Sequence, residues 1–161
     1  MGSAAVDLLG DLLTSATVLV LPWEDGSVRR TEKDGRPALI TSAAKWKPHI
    51  FFVLPDGSPL RGSEGDVVME VTWYSDDGRD NEFVIHYDSA FQEGSVVDAY
   101  RASEPLGKAS GPGWQTARVR LPRAVFSGRQ NGLADFRIAD TDGRNDIIGT
   151  ISIVRQARTE H

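Results

Sequence analysis

The sequence predicts an all-β domain, a sandwich or a barrel, preceded by a short N-terminal helix. Short segments alternate apolar and polar side chains with a period of two, as Val67, Met69, Val71 and Trp73 do against Val68, Glu70, Thr72 and Tyr74. Turn signals such as Asp34-Gly35, Pro55-Asp56-Gly57 and Asp77-Gly78 separate these segments at spacings of about 8–12 residues. In addition, 16 glycines and 8 prolines are spread along all 161 residues instead of gathering in one linker, so the elements are many and short.

Taken in order, Ala5, Leu8, Leu9, Leu12, Leu13 and Ala16 recur at three- and four-residue steps with Asp7 and Asp11 opposite, the pattern of an amphipathic helix. β-branched residues then take over. Strands are predicted over 17–22 and 36–41, joined as a hairpin with Asp25-Gly26 and Asp34-Gly35 as turn signals between them, and over 49–54. The stretches 66–75 and 82–88 read as a second hairpin. A weaker strand over 95–102, an alternating one over 114–121, a turn at 122–126, and strands over 134–139 and 147–154 close the domain. The chain thus divides into 1–16 (helix or linker), 17–156 (the β domain) and a 157–161 tail. Its ends, Met1-Gly2-Ser3 and Glu160-His161, read as residues flanking an excised domain.

Composition removes several function classes. With 18 Lys and Arg against 23 Asp and Glu, net charge −5, there is no basic field for a phosphate backbone, so no nucleic acid is expected. No apolar run reaches the roughly 20 residues of a membrane span. The absence of cysteine excludes disulfides, thiol catalysis and Cys-based zinc sites. No GxSxG elbow, phosphate loop or HExxH helix occurs, and His49 and His86 are the only internal histidines. A non-enzymatic role is therefore expected, although two carboxylates would suffice for glycoside hydrolysis.

The stretch from Gly113-Trp114-Gln115 through Leu121-Pro122, then Ala124-Val125-Phe126, Arg129-Gln130-Asn131-Gly132, Ala134-Asp135-Phe136-Arg137-Ile138 and Asn145-Asp146, resembles the second half of galactose-binding-like jelly-roll domains. The segments 71–78 and 83–89 look like the central hairpin of the same domains. This resemblance spans about residues 17–156 and is strongest after Gly113. It implies a jelly-roll β-sandwich serving as a secreted, non-catalytic carbohydrate-binding module. Its partners would be a polysaccharide or oligosaccharide and a linked glycan-degrading catalytic domain. It also implies one structural calcium ion, with Asp146 at the position of a metal ligand and Glu24 and Asp25 as further candidates by position. The alternatives are a structural accessory domain that packs through Leu8, Leu9, Leu12 and Leu13, or a small hydrolase or lyase.

Sugar recognition uses aromatic rings against pyranose faces, with arginines and carboxylates paired to hydroxyls. Trp46, flanked by Lys45, Lys47 and Pro48, Trp23 between Pro22 and Glu24, and Tyr100 beside Arg101 are the candidate stacking rings; Trp73 and Trp114 are expected in the core. If four of the strands share one sheet, the face opposite the core presents Glu70, Thr72 and Tyr74; Val84, His86 and Asp88; Arg118 and Arg120; Asp135 and Arg137. From that face Tyr74, His86, Arg118, Asp135 and Arg137 are candidate sugar contacts, and a solvated face of cross-strand ion pairs is the competing reading. The loop Asp140-Thr141-Asp142-Gly143-Arg144-Asn145-Asp146 offers alternating oxygens, as calcium loops do. Gly149 stands where an EF-hand places its bidentate glutamate, so the loop is either a plain turn or a single cation site of another kind.

Overall fold

The computed structural model describes residues 3–7, 17–18, 25–27, 29–91 and 96–156. In chain order its elements are β1 (Ser3–Asp7), β2 (Thr17–Val18), β3 (Arg30–Lys33), β4 (Arg36–Ile40), β5 (His49–Val53), β6 (Gly65–Ser75), β7 (Phe83–Tyr87), α1 (Val96–Ala99), β8 (Arg101–Ala102), β9 (Gly113–Ala124), β10 (Phe136–Asp140) and β11 (Ile147–Arg155). Two antiparallel sheets result, one ordered β3-β4-β11-β6-β9 with β1 paired to β11, the other β2-β5-β10-β7-β8. Within them, β4-β11-β6-β9 facing β5-β10-β7-β8 is the interleaved order of a jelly roll.

Local chemistry accounts for the elements. Asp34 and Gly35 both take positive φ (52° and 75°), the conformation of the primed turns that match strand twist, and they close the β3–β4 hairpin. On β6 the alternation works as read: Val67, Met69, Val71 and Trp73 are all at most 1% exposed. They meet Ile50 and Phe52 of β5, Phe83, Ile85 and Tyr87 of β7, and Phe136 and Ile138 of β10 in one core. The Phe52 and Phe136 rings stack at 4.8 Å. Truncating a ring such as Trp73 to alanine costs roughly 3–5 kcal/mol at sites of this kind. The buried Tyr87 hydroxyl donates to the Pro122 carbonyl at 2.9 Å, and burial pushes its pKa up to about 12.

Several sequence expectations change. Ser3–Asp7, including Ala5, is a strand beside β11 and not the start of a helix, because β11 offers an open edge to pair with. Leu8, Leu9, Leu12, Leu13 and Ala16 lie outside the described residues, as do Trp23 and Glu24. The predicted hairpin of 66–75 with 82–88 does not form: β6 pairs with β9 and β11, whereas β7 pairs with β8 and β10 in the opposite sheet. Their connection crosses the sandwich, which buries the apolar faces of both strands against each other.

The four-strand polar face therefore splits. Glu70, Tyr74 and Arg118 lie on one sheet, His86 and Arg137 on the other. Residues 95–102, read as a strand, hold the short α1 turn and only two strand residues. Trp114 is half-buried outside the main core, in a satellite cluster with Ala38, Ile40, Ile147 and Tyr74. There its indole N–H donates to the Lys33 carbonyl at 3.2 Å.

Candidate functional site

One end of the sandwich gathers the start of β5, the end of β10 and the start of β11. The turn before β5 is tightly closed. Ser42 and Lys47 exchange two main-chain hydrogen bonds (2.8 and 3.0 Å), and inside them Trp46 N–H donates to Ala43 O at 3.0 Å. Trp46 itself takes a left-handed conformation, φ 60° and ψ 32°, and Pro48 biases the chain straight back to extended backbone. Four contacts fasten this turn to the 140–146 loop: Ala43 N–H to Asn145 Oδ1 at 2.9 Å, Asp146 N–H to Thr41 Oγ1 at 2.8 Å, Thr41 N–H to Asp146 O at 3.1 Å, and Asp140 N–H to Pro48 O at 2.9 Å. On this fixed platform the Trp46 indole is 87% exposed.

Beneath the platform Asp140, Asp142 and Asp146 converge, each offering an oxygen within 4.8 Å of the others. Asp146 is 1% exposed, yet neither of its carboxylate oxygens has a hydrogen-bond partner. Burial, with the neighbouring Asp140 and Asp142 charges, pushes its pKa up to about 9. Three converging carboxylates with an orphaned buried pair of oxygens are a donor set for a hard cation, which supplies the missing positive charge. Buried as it is, Asp146 can reach an ion but not a sugar ring. Asp140 and Asp142, not Asp25, are the carboxylates that join it among the described residues. Asp25 stands against β5 instead, with Oδ2 2.8 Å from His49 Nδ1.

Beside this corner, the outer face of the β5-β10-β7 sheet carries a second polar group. Arg137 on β10 lies directly between Phe51 and His86 across the strands. Its Nε–H donates to His86 Nδ1 at 2.9 Å, and its guanidinium carbon sits 4.4 Å from the Tyr100 ring centroid and 5.4 Å from that of Phe51. Tyr100 Oη accepts from Asn131 N–H at 2.8 Å, fixing the ring. The His49 and His86 rings lie 6.1 Å apart. Burial, reinforced by Arg137 and His49, lowers the His86 pKa to about 4, so His86 is neutral at pH 7 with Nδ1 as acceptor. Burial likewise lowers His49. Among the described residues neither histidine hydrogen-bonds a serine or threonine hydroxyl.

The predicted sugar contacts thus fall into separate places. Among the described residues Trp46 is the one predicted contact on the corner turn; His86, Tyr100 and Arg137 come together on one sheet face. Tyr74 packs edge-on against Trp114 at 5.3 Å on the opposite sheet, where Arg118 faces Glu70 across the strands with Nη1 to Oε1 at 3.5 Å. That pair is the cross-strand ion pair of a solvated sheet face. Asp135 is 0% exposed and unavailable to a ligand: it ends up inside because its Oδ2 accepts the Leu54 N–H at 2.8 Å. His49 and Phe51 escaped the sequence reading, although their alternation with Ile50 and Phe52 placed them on the outer face.

The chain matches no protein-family model and no curated protein. Among solved structures it is similar to the CBM35 from Cellvibrio japonicus Abf62, with 10% identity and a TM-score of 0.45 over 96% of this chain and 94% of that one. It is also similar to the K1 cleaved adhesin domain of Lys-gingipain from Porphyromonas gingivalis W83, with 11% identity and a TM-score of 0.45 over 96% of this chain and 99% of the other.

Proposed function

We propose that this domain is a non-catalytic carbohydrate-binding module, secreted as part of a larger protein, that holds a linked glycan-degrading enzyme at its polysaccharide. The observation that carries the reading is Trp46. A tryptophan left 87% exposed, on a turn closed by main-chain hydrogen bonds and tied to a neighbouring loop, gives up apolar burial while remaining pre-organised. A flat, rigid indole is the surface that stacks on the apolar face of a pyranose. On the outer sheet face, Arg137, His86 and Tyr100 supply donors and acceptors for hydroxyl groups. One calcium ion held by Asp140, Asp142 and Asp146 would brace the 140–146 loop and, through it, the Trp46 turn. Tethering then raises the effective concentration of the enzyme at its substrate.

Affinity gels and calorimetry against plant, algal and bacterial polysaccharides test this reading. Binding to at least one of them, lost in Trp46→Ala with the melting temperature unchanged, is the expected result. No binding to any polysaccharide in the presence of calcium, or binding that Trp46→Ala leaves intact, overturns it.

A further inference from the structure

At the end of the sandwich opposite Trp46, the loops following β7 and β9 enclose a cavity of about 610 Å³, lined among others by Phe91, Arg123, Arg129, Ser89, Ser127 and Glu64. Buried carboxylates hold the arginines beside the cavity. Asp88 is 0% exposed and fully engaged: Oδ1 accepts from Arg129 Nε at 2.7 Å, and Oδ2 accepts from the Ser127 amide and hydroxyl at 2.7 and 2.8 Å. Asp98, also buried, holds Arg101 Nη2 at 3.1 Å. These two carboxylates are buried, while the side chains of Arg129, Arg101 and Arg123 keep 30%, 35% and 45% of their surface exposed. Phe91 rests against two of them, 4.0 Å from Arg101 and 5.2 Å from Arg123, leaving an apolar ring 39% exposed beside the cations.

The backbone beside the cavity is held in an unusual conformation. Arg123 and Phe126 both adopt left-handed φ, 54° and 47°, which is unfavourable for side-chain-bearing residues and persists only where surroundings fix it. The fixing contacts are present: Ala90 N–H to Arg123 O at 3.0 Å, Val125 N–H to Asp88 O at 2.9 Å and Gly62 N–H to Val125 O at 2.7 Å. Arg123 lines the cavity from this backbone. Among the described residues the exposed carboxylate that faces it is Glu64, whose Oε1 accepts from Arg123 Nη2 at 3.0 Å.

We propose that this cavity is a second binding site, for a small organic oxyanion, a carboxylate or a sulfate ester carried on a ring. The anion takes the Arg123 guanidinium and the Nη1 of Arg129, whose Nε and Nη2 are held by Asp88 and Ser89, as charged donors; a ring hydroxyl of the ligand donates to the Ser127 oxygen, and the attached ring lies on Phe91. This site is independent of the carbohydrate reading of the Trp46 end, and its test does not share that reading's outcome. Glu64 competes with the ligand for Arg123 and sets its affinity.

The test is amide and arginine-side-chain NMR titration of the full chain with glucuronate, glucose 6-sulfate, inorganic sulfate and neutral glucose. Glucuronate or glucose 6-sulfate, whichever is the ring-borne anion of choice, shifts the Ser127 and Arg129 signals, binds more tightly than inorganic sulfate, and weakens as salt is raised; glucose leaves these signals still. Arg123→Gln, on an exposed side chain, weakens binding at least tenfold at an unchanged melting temperature, and Glu64→Gln strengthens it severalfold. The inference is overturned if neither ring anion shifts these signals, if glucose shifts them equally, or if Arg123→Gln and Glu64→Gln both bind as the parent chain does.

Discussion

Arg137 Nε donates a hydrogen bond to His86 Nδ1 at 2.9 Å, so the arginine is anchored by a histidine that must stay neutral. Protonation would place two positive groups in contact in a half-buried setting. With His86 lowered to about 4 from its unfolded value near 6.5, the folded chain binds fewer protons between these values. Its stability is therefore complete above about pH 6.5 and is lost as pH falls toward 4. His86→Gln keeps an acceptor in place. Relative to the parent chain, that variant gains about 1–2 kcal/mol between pH 6.5 and 4 in urea melts, since a shift of one pKa unit is about 1.4 kcal/mol and solvent screening of this half-buried ring reduces the effect. Parallel pH profiles for the two proteins would contradict this.

Asp135 has the opposite sign. Burial raises its pKa to about 6, against the Leu54 hydrogen bond and the Arg61 charge. The folded chain thus holds an extra proton between about 4 and 6, and this contribution is fully present at low pH and lost as pH rises through 6. Asp135→Asn, which retains a carbonyl for the Leu54 N–H, is expected to lose about 2–3 kcal/mol relative to the parent as pH is lowered from 6 to 4. A flat difference across that range refutes it.

Calcium should raise the melting temperature of the parent chain, and a chelator should reverse the rise, because an ion that binds only the folded state stabilises it by mass action. Asp146→Asn removes one carboxylate from a group of three whose oxygens lie within 4.8 Å of one another. Differential scanning calorimetry is expected to show an ion-free variant at least as stable as the ion-free parent, but blind to calcium. A calcium response that survives in Asp146→Asn would exclude this cluster as the site.

Gly149 lies where β11 shifts register between Ile148 and Ile151. A Cβ at this position would meet Thr72 Oγ1 at 2.6 Å and the Trp114 ring at 2.7 Å. Thr72 is held in turn, accepting from Thr150 N–H at 2.6 Å. Gly149→Ala should therefore destabilise the fold by about 1–3 kcal/mol, the scale of overpacking in a close-packed site. Denaturation midpoints equal to the parent's would show that Trp114 can move aside.

Trp46→Ala is expected to change stability by no more than about 0.5 kcal/mol, as for exposed positions generally, while abolishing retention on the polysaccharide gel. A large drop in the unfolding midpoint would mean that the indole is structural.

Sequence periodicity alone determined that this is a β protein and which side chains of β6, β7 and β10 face inward, because a pleated strand forces alternation whatever its neighbours are. It also singled out Trp46, whose lysine and proline neighbours place it in an exposed turn, and the aspartate-rich 140–146 loop. Pairing was decided only in three dimensions. Adjacent strands β6 and β7 look like a hairpin locally, but apolar faces on both are buried more completely by facing each other across a core than by lying side by side. That one choice separated Arg118 from Arg137 and sent them to opposite outer faces. It also drew Asp88 and Asp135 inside, where main-chain N–H groups left unpaired at the sandwich end needed acceptors. The cavity of Arg123 and Arg129 belongs to this second class, since Asp88 and Glu64 shape it from positions distant in sequence that only the crossing of the sheets brings together.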